Sequence, residues 1–323
     1  MRYNQFRDTE LRLSEIGLGG HEFLADGRVK AMGEDFHTAV RAGFIWDGFG
    51  QQKRRETLRA ALEGGVNFLD VTMDCEKEAL GRNLKELSPG QPTYLQTRPE
   101  GMVYNNDPND RDKSKLLGYG LLKAEAQHAC QLLGRERVDF YNIGLFAPAV
   151  RPQPDYLTKL SRNIERLKSD GLIRFACVDT LSGEALALEM IATGSFDAVF
   201  TNFGIASDAA LHKVIPAAVE RGMAIFVREA FMKGRLFALA ASAGVDDRSR
   251  VARAAVRWIL SQGFVTVLVL GAAEPSHLIQ NLQAAEQPAL TDDDKAVLDA
   301  IQQTPEFAET KAGQLDFFVK GWG

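Results

Sequence analysis

Short apolar runs, many of them rich in β-branched and aromatic residues, alternate along this chain with longer amphipathic stretches. Eight runs stand out: Leu13 to Gly19, Val66 to Val71, Thr93 to Thr97, Val138 to Ile143, Ile173 to Val178, Ala198 to Asn202, Ala224 to Val227 and Val265 to Leu270. Apolar residues at three and four spacing fill the stretches between them, as with Leu58, Ala61 and Leu62, with Leu157, Leu160, Ile164 and Leu167, and with Val251, Ala255, Trp258 and Ile259. That spacing puts one apolar stripe on each helix, and the alternation predicts a parallel sheet with crossover helices. Gly64-Gly65, Gly171, Gly194 and Gly222 end helices just before the next run, where glycine takes the left-handed cap conformation without steric cost. Eight such units close most simply into a (β/α)8 TIM barrel. An open doubly wound sheet is the alternative, but its GxGxxG turn is missing after the first run.

Two long segments interrupt the rhythm, residues 21–53 after the first run and residues 99–118 after the third. In a barrel both are βα loops on the C-terminal face, where active sites sit, and loops of this length are functional lids or disordered insertions. The first carries Phe44, Ile45, Trp46 and Phe49, the second Met102, Val103 and Tyr104. They are expected to fold over the mouth as one lid, with Trp46 and Tyr104 supplying substrate contacts. The tail, residues 305–323, ends in LDFFVKGWG, and its aromatic residues predict packing against the barrel rim.

Composition narrows the function classes. With 323 residues, 45% apolar and 25% charged, the chain is expected to be one globular domain over residues 1–323. Its net charge of -5 comes from mixed charges without a basic block, so nucleic acid is not expected as a partner. Cys75, Cys130 and Cys177 are widely spaced and form no CxxC pair, which fits a reducing compartment and no structural zinc. Neither a signal peptide nor a membrane-spanning run is read from the sequence, which makes the cytoplasm the expected location. The pattern implies a small-molecule substrate and specifies no oligomeric state.

Several sequence blocks resemble the aldo-keto reductases. They are the opening MRYNQFRDTELRLSEIGLGG, GGVNFLDV with EALGRNL, ERVDFYNIG, LKSDGLIRFACVDT, and LGAAEPSHLIQNL near the end. They fall in family order over nearly the full length. The resemblance implies a (β/α)8 barrel entered by a short N-terminal hairpin. It also implies NADP(H), or NAD(H), lying across the C-terminal face, and carbonyl reduction by an Asp, Tyr, Lys, His tetrad in which tyrosine donates the proton.

Only the aspartate of that tetrad is present, as Asp70. The tyrosine position is Cys75, the lysine position is Arg98 and the histidine position is Gly144. Arginine supplies charge but shuttles protons poorly, since its pKa lies above about 12, so the resemblance implies a degenerate tetrad with a rebuilt acid/base set. By the same resemblance the carboxamide contacts fall on Asp179 and Thr180, the ring-stacking aromatic on Phe203, the 2′-phosphate contacts on Gly271 or Glu274 and on His277, and the adenine contact on Asn281. A carboxylate at a phosphate position weakens NADP(H) preference, and the expected cofactor is NAD(H) or NADP(H), bound weakly or not at all.

Independently of the resemblance, polar residues gather at the ends of the runs: His21 and Glu22 after the first, Asp70, Asp74 and Glu76 after the second, Arg98 and Glu100 after the third. Asn142 lies at the fourth, Asp179 at the fifth, Asn202 at the sixth, and Arg228 with Glu229 at the seventh. Barrel geometry aims these at one pocket. Asp70, Arg98, Glu76, His21, Glu100 and Tyr104 are the candidate catalytic residues, Tyr104 as a replacement for the missing tyrosine. Trp46 and Asn142 are candidate substrate contacts, and Asn202 and Arg228 join the cofactor candidates.

Plainer readings stand beside these. Asp74 reads equally as a helix N-cap, Cys75 as a small helix-start residue rather than a nucleophile, and Glu22 as solvated. Asp70 with Arg98 can also be a structural ion pair, while His37, His128 and His212 read as solvent or packing residues. His21, Asp70, Glu76 and Glu100 share no diagnostic metal spacing, and no metal is assigned. Three functions follow: an aldo-keto reductase-like oxidoreductase acting on a polar or sugar-derived carbonyl, a non-redox lyase, dehydratase or isomerase using the same mouth residues, or a catalytically silent ligand-binding relative.

Overall fold

The computed structural model describes residues 1–22, 38, 41, 43–99 and 116–321. Strands β1 (Tyr3–Gln5) and β2 (Arg12–Ser14) form an antiparallel hairpin, with Tyr3 opposite Ser14. Eight parallel strands follow: β3 (Ile16–Gly19), β4 (Phe68–Asp70), β5 (Tyr94–Thr97), β6 (Val138–Ile143), β7 (Ile173–Asp179), β8 (Ala198–Asn202), β9 (Ala224–Arg228) and β10 (Val267–Leu270). They pair in chain order, and β10 closes on β3 to complete the barrel. All eight runs read from the sequence are therefore strands. The first is divided at Glu15, where Ser14 turns its hydroxyl onto the Ile16 carbonyl and its N–H onto Asn67.

Around the barrel lie α1 (Gln52–Glu63), α2 (Asp74–Leu87), α3 (Tyr119–Leu133), α4 (Ala147–Val150), α5 (Tyr156–Ser169), α6 (Glu184–Ala192), α7 (Val214–Glu220), α8 (Arg235–Ser242), α9 (Arg248–Leu260), α10 (Pro275–Glu286), α11 (Asp292–Gln302) and α12 (Pro305–Lys320). No helix of the described residues is long and apolar enough to cross a membrane.

The period of two in each strand sorts side chains into an inner and an outer set. Ile16, Leu18, Leu69, Leu95, Ile143, Val199 and Val227 face outward and join the helix stripes in the main core. Phe68, Phe140, Cys177, Phe200, Phe226 and Val267 fill the barrel interior, and Phe6 from the hairpin tip plugs its base, with ring centroids 5.0 Å from Phe140 and 4.5 Å from Phe175. Gly17 has to be glycine in this filling, because a Cβ there would lie 2.9 Å from the Phe68 ring. Continued one step toward the C-terminal ends, the inner parity lands on Asp70, Gln96, Arg98, Asn142, Asp179, Asn202 and Arg228. The apolar base and the polar mouth are thus products of the same alternation.

The tail packs on the rim, as its aromatic residues predict. Phe318 is buried, while Phe317 stays partly exposed. Gly321, which ends α12, approaches Gly183 so closely that a Cβ on Gly321 would lie 2.4 Å from the Gly183 nitrogen.

Candidate active site

Asp179 is the hub of the mouth. It ends β7, is 1% exposed, and its two oxygens accept from Arg228 at 2.6 and 2.9 Å, from Asn142 at 2.7 Å and from the Leu181 N–H at 3.0 Å. Arg98 reaches the same carboxylate at 3.3 Å and Asp70 at 3.6 Å, bridging the two acids across the barrel axis. Gln96, the strand partner of Asp70, donates to it at 2.9 Å. Arg228 in turn donates to Asn202 at 2.6 Å and lies over the Phe200 ring. Burial alone would push the Asp179 carboxyl up, but the Arg228 guanidinium, with Arg98 behind it, holds it below its ordinary value. Asp70 goes the other way, because burial outweighs the more distant Arg98 and raises its pKa.

His21 and Glu76 form a second unit on the rim. His21 Nδ1 lies 2.6 Å from Glu76 Oε1, and the other Glu76 oxygen accepts the Thr72 and Met73 N–H groups at 2.8 and 3.2 Å. These contacts make Glu76 the reaching-back member of a capping box at the start of α2, so a common helix-start device fixes a histidine partner. Burial opposes charge on both groups. The mutual attraction is stronger, so His21 is raised, and Glu76, also bonded by the two N–H groups, is held at about 2. Gly19, two residues before His21, lies opposite Asp70 in the β3–β4 pairing, and Asp70 adds to the pull on His21 while Arg98 opposes it. With Nδ1 committed to Glu76, Nε2 is the ring nitrogen left to meet a ligand.

Other readings change in the structure. Asp74 is not the N-cap; Met73 takes that position. Asp74 is instead fully buried, bonded to Lys77 Nζ at 2.7 Å, His128 Nε2 at 2.8 Å and the Gly43 N–H at 2.6 Å. It ties the first long loop to α2 and α3, and His128, read as a solvent or packing residue, is one of its anchors. Although burial raises the Asp74 carboxyl, Lys77 and the other donors hold it low. Glu22 is not merely solvated either, since it accepts the Gly50 N–H at 2.7 Å. Cys75 is buried with Phe49, Met73 and Ala79, as a small helix-start residue should be, and Trp46 packs on the same cluster. Glu100, Tyr104 and His37 lie outside the described residues.

The rim from β7 to β10 holds the residues that the resemblance assigned to a cofactor. Thr180 and Asn202 line a slot with Ser207, Gln314 and Phe317, between the barrel mouth and α12. Gly271 and His277 are exposed, and Asn281 is buried on α10. Phe203 contradicts its expected stacking role. It is fully buried and packed between Trp258, at 5.4 Å, and Phe264, at 5.3 Å, because it follows the outward parity of Val199 and Thr201. Glu274 is not a lone carboxylate, since Lys53 of α1 pairs with it. Asp179 stands at a carboxamide position but is engaged by Arg228 and Asn142.

The sequence reading missed four features of the site. Gln96 was legible from parity, two residues before Arg98. Arg54, Lys77 and the left-handed backbone at Glu229, Met232 and Lys233 after β9 were not. Non-glycine residues with positive φ are uncommon, and here they cluster at the end of a mouth strand.

No protein-family model and no curated protein sequence matches this chain. Solved structures do. The chain is similar to the aldo-keto reductase AKR11C1 from Bacillus halodurans, at 18% identity over 93% of this chain and 96% of that one, with a TM-score of 0.67 in its holo form and 0.64 in its apo form. It is also similar to the glycerol dehydrogenase AKR11B4 from Gluconobacter oxydans, at 19% identity over 93% and 94% of the two chains, with a TM-score of 0.68. At this identity the likeness is one of fold, and over nearly its full length the chain has the barrel fold of aldo-keto reductases.

Proposed function

We propose that the protein is an oxidoreductase of the aldo-keto reductase type that reduces the carbonyl of a small polar substrate, with His21 as proton donor. The observation that carries this reading is the His21–Glu76 pair beside Asp70 and Arg98, a held imidazole after β3 next to the guanidinium that stands at the resembled family's lysine position.

Two of the rim residues fit a nicotinamide dinucleotide, NAD(H) or NADP(H), at its adenine end, where Gly271 and His277 are exposed while Asn281 is buried. At its ring end the slot lined by Thr180, Asn202 and Ser207 among the apolar Leu181, Ala209 and Phe318 would offer contacts, since Asp179 is engaged elsewhere and Phe203 faces away. Bound there, the dinucleotide supplies the hydride. The chain's own residues do the rest. Arg98 meets the carbonyl oxygen and stabilises the charge that grows on it. His21 Nε2 passes its proton to that oxygen, and Glu76 steadies the imidazolium before transfer. Asp70 and Gln96 hold the Arg98 side of the mouth. A mouth lined by acids, amides and guanidinium groups suits a hydroxylated substrate, and the neighbouring glycerol dehydrogenase bears the name of such a substrate.

A second reading, a non-redox lyase or isomerase, is favoured by one observation. Asp179 is bonded to Arg228 and Phe203 faces away, so two expected ring contacts are missing. Calorimetric titration with NADH and NADPH, followed by an absorbance assay with small hydroxyaldehydes and hydroxyketones, separates the two. The redox reading predicts saturable binding and oxidation of the cofactor. Because Lys53 neutralises Glu274, the preference between NADPH and NADH should stay below about a hundredfold, roughly 2.7 kcal/mol. Absence of binding to either overturns the redox reading in favour of the non-redox one.

A further inference from the structure

Arg54, on the first turn of α1, is outside the central network, yet it reaches under the His21 segment. Its Nη2 donates at 2.5 Å to the carbonyl of Gly19, the last residue of β3 and two positions before His21. Its Nη1 is buried and, among the described residues, has no hydrogen-bond partner. Arg54 and Glu76 line one small cavity, together with Gly20, Val71 and Asn83. A guanidinium with a buried, unsatisfied N–H is a costly choice for a place that packing alone could fill.

The arrangement has an electrostatic logic. Two carboxylates, Glu76 from α2 and Asp70 from β4, act on His21, and both favour its protonated form. An acid that must release its proton cannot keep both uncompensated. Arg98 from β5 answers Asp70. Arg54 from α1 faces Glu76, and Glu22, beside His21, is the other carboxylate acting on Arg54.

We propose that Arg54 is a positioning residue for the proton donor. It braces the Gly19 carbonyl and sets its charge against Glu76, so that His21 stays able to give up its proton. This rests on the reading of His21 as the acid, and it has a test that needs no turnover.

Proton NMR titration of the histidine rings, with His21 assigned by its loss in His21→Gln, reads the proton affinity of His21 directly. Arg54→Met removes the charge and should raise that affinity about three- to tenfold, moving the midpoint to higher pH. Arg54→Lys, which keeps the charge, should stay close to the parent protein. If Arg54→Met does not fold, Arg54→Gln makes the same charge change with a polar side chain and carries the same expectation. An unchanged or lowered midpoint in the folded uncharged variant overturns the proposal. A raised midpoint together with full turnover in His21→Gln would leave the Arg54 assignment standing and remove His21 as the acid. An unchanged midpoint with turnover lost in His21→Gln would do the reverse.

Discussion

Arg98 and Asp70 illustrate how differently two neighbours in one ion pair respond to substitution. Arg98 lies between two buried carboxylates, at 3.3 Å from Asp179 and 3.6 Å from Asp70. Arg98→Ala leaves both with one cation fewer, and removing a partner from a buried pair costs about 3–5 kcal/mol. That variant should lose turnover and stability together. Asp70 is already raised by burial, and Gln96 can still donate to an amide oxygen at its place. Asp70→Asn should therefore melt within a few degrees of the parent while turnover falls by about a hundredfold or more, since a 1.4 kcal/mol change in barrier is about a factor of ten. Measuring kcat/KM and the denaturation midpoint of both variants checks this, and near-normal turnover in Asp70→Asn would remove Asp70 from the site.

The elements were legible where alternation is strict. Inner and outer parity on β4 to β9 places Phe68, Phe140 and Phe200 below and Asp70, Asn142 and Asn202 above, and the same rule, applied to Phe203, predicts its burial against Trp258. Phe203, which the family resemblance puts at a cofactor position, follows that rule instead. Helix-start chemistry was harder to read. Asp74 and Glu76 both suit a first turn, and only the fold shows Glu76 capping while Asp74 anchors the Gly43 loop. Away from Asp70 and Arg98 at the mouth, long-range ion pairs left no sequence signal. Asp294, in the capping box of α11, is the clearest: it accepts from Thr291, from Arg253 at 3.0 Å and from Arg257 at 2.7 Å. Burial disfavours its charge, but Arg257 and the Thr291 cap outweigh it and hold it at about 2. A carboxyl depressed in the folded state stabilises above its unfolded pKa of about 4 and loses that contribution as pH falls toward 2. Asp294→Asn should destabilise by about 2–3 kcal/mol at neutral pH. Urea unfolding at pH 7 and pH 3 tests it, and a deficit that does not shrink at the lower pH contradicts the ion-pair account.

Across the whole molecule, one end of the barrel is closed by aromatic packing and the other by charge. Phe6 and its neighbours seal the base, and the Asp70, Arg98, Asp179, Arg228 chain spans the mouth. The first long loop is tied down at Gly43 and Gly50, α12 is seated on Gly183, and the expected contacts of Glu100 and Tyr104 lie outside the described residues. What these parts frame is His21, the group proposed above as the proton donor. His21 is raised by Glu76 and Asp70, so its charged form persists to higher pH than an unpaired imidazole and disappears as pH rises through that raised value. The pH dependence of nicotinamide-dependent carbonyl reduction, in the parent protein and in His21→Gln, therefore tests the account most directly. The account predicts that parent kcat/KM falls above the His21 midpoint found by NMR, and that His21→Gln is slower by about a hundredfold with that limb gone. Turnover in His21→Gln close to the parent, with the same fall at high pH, would contradict it.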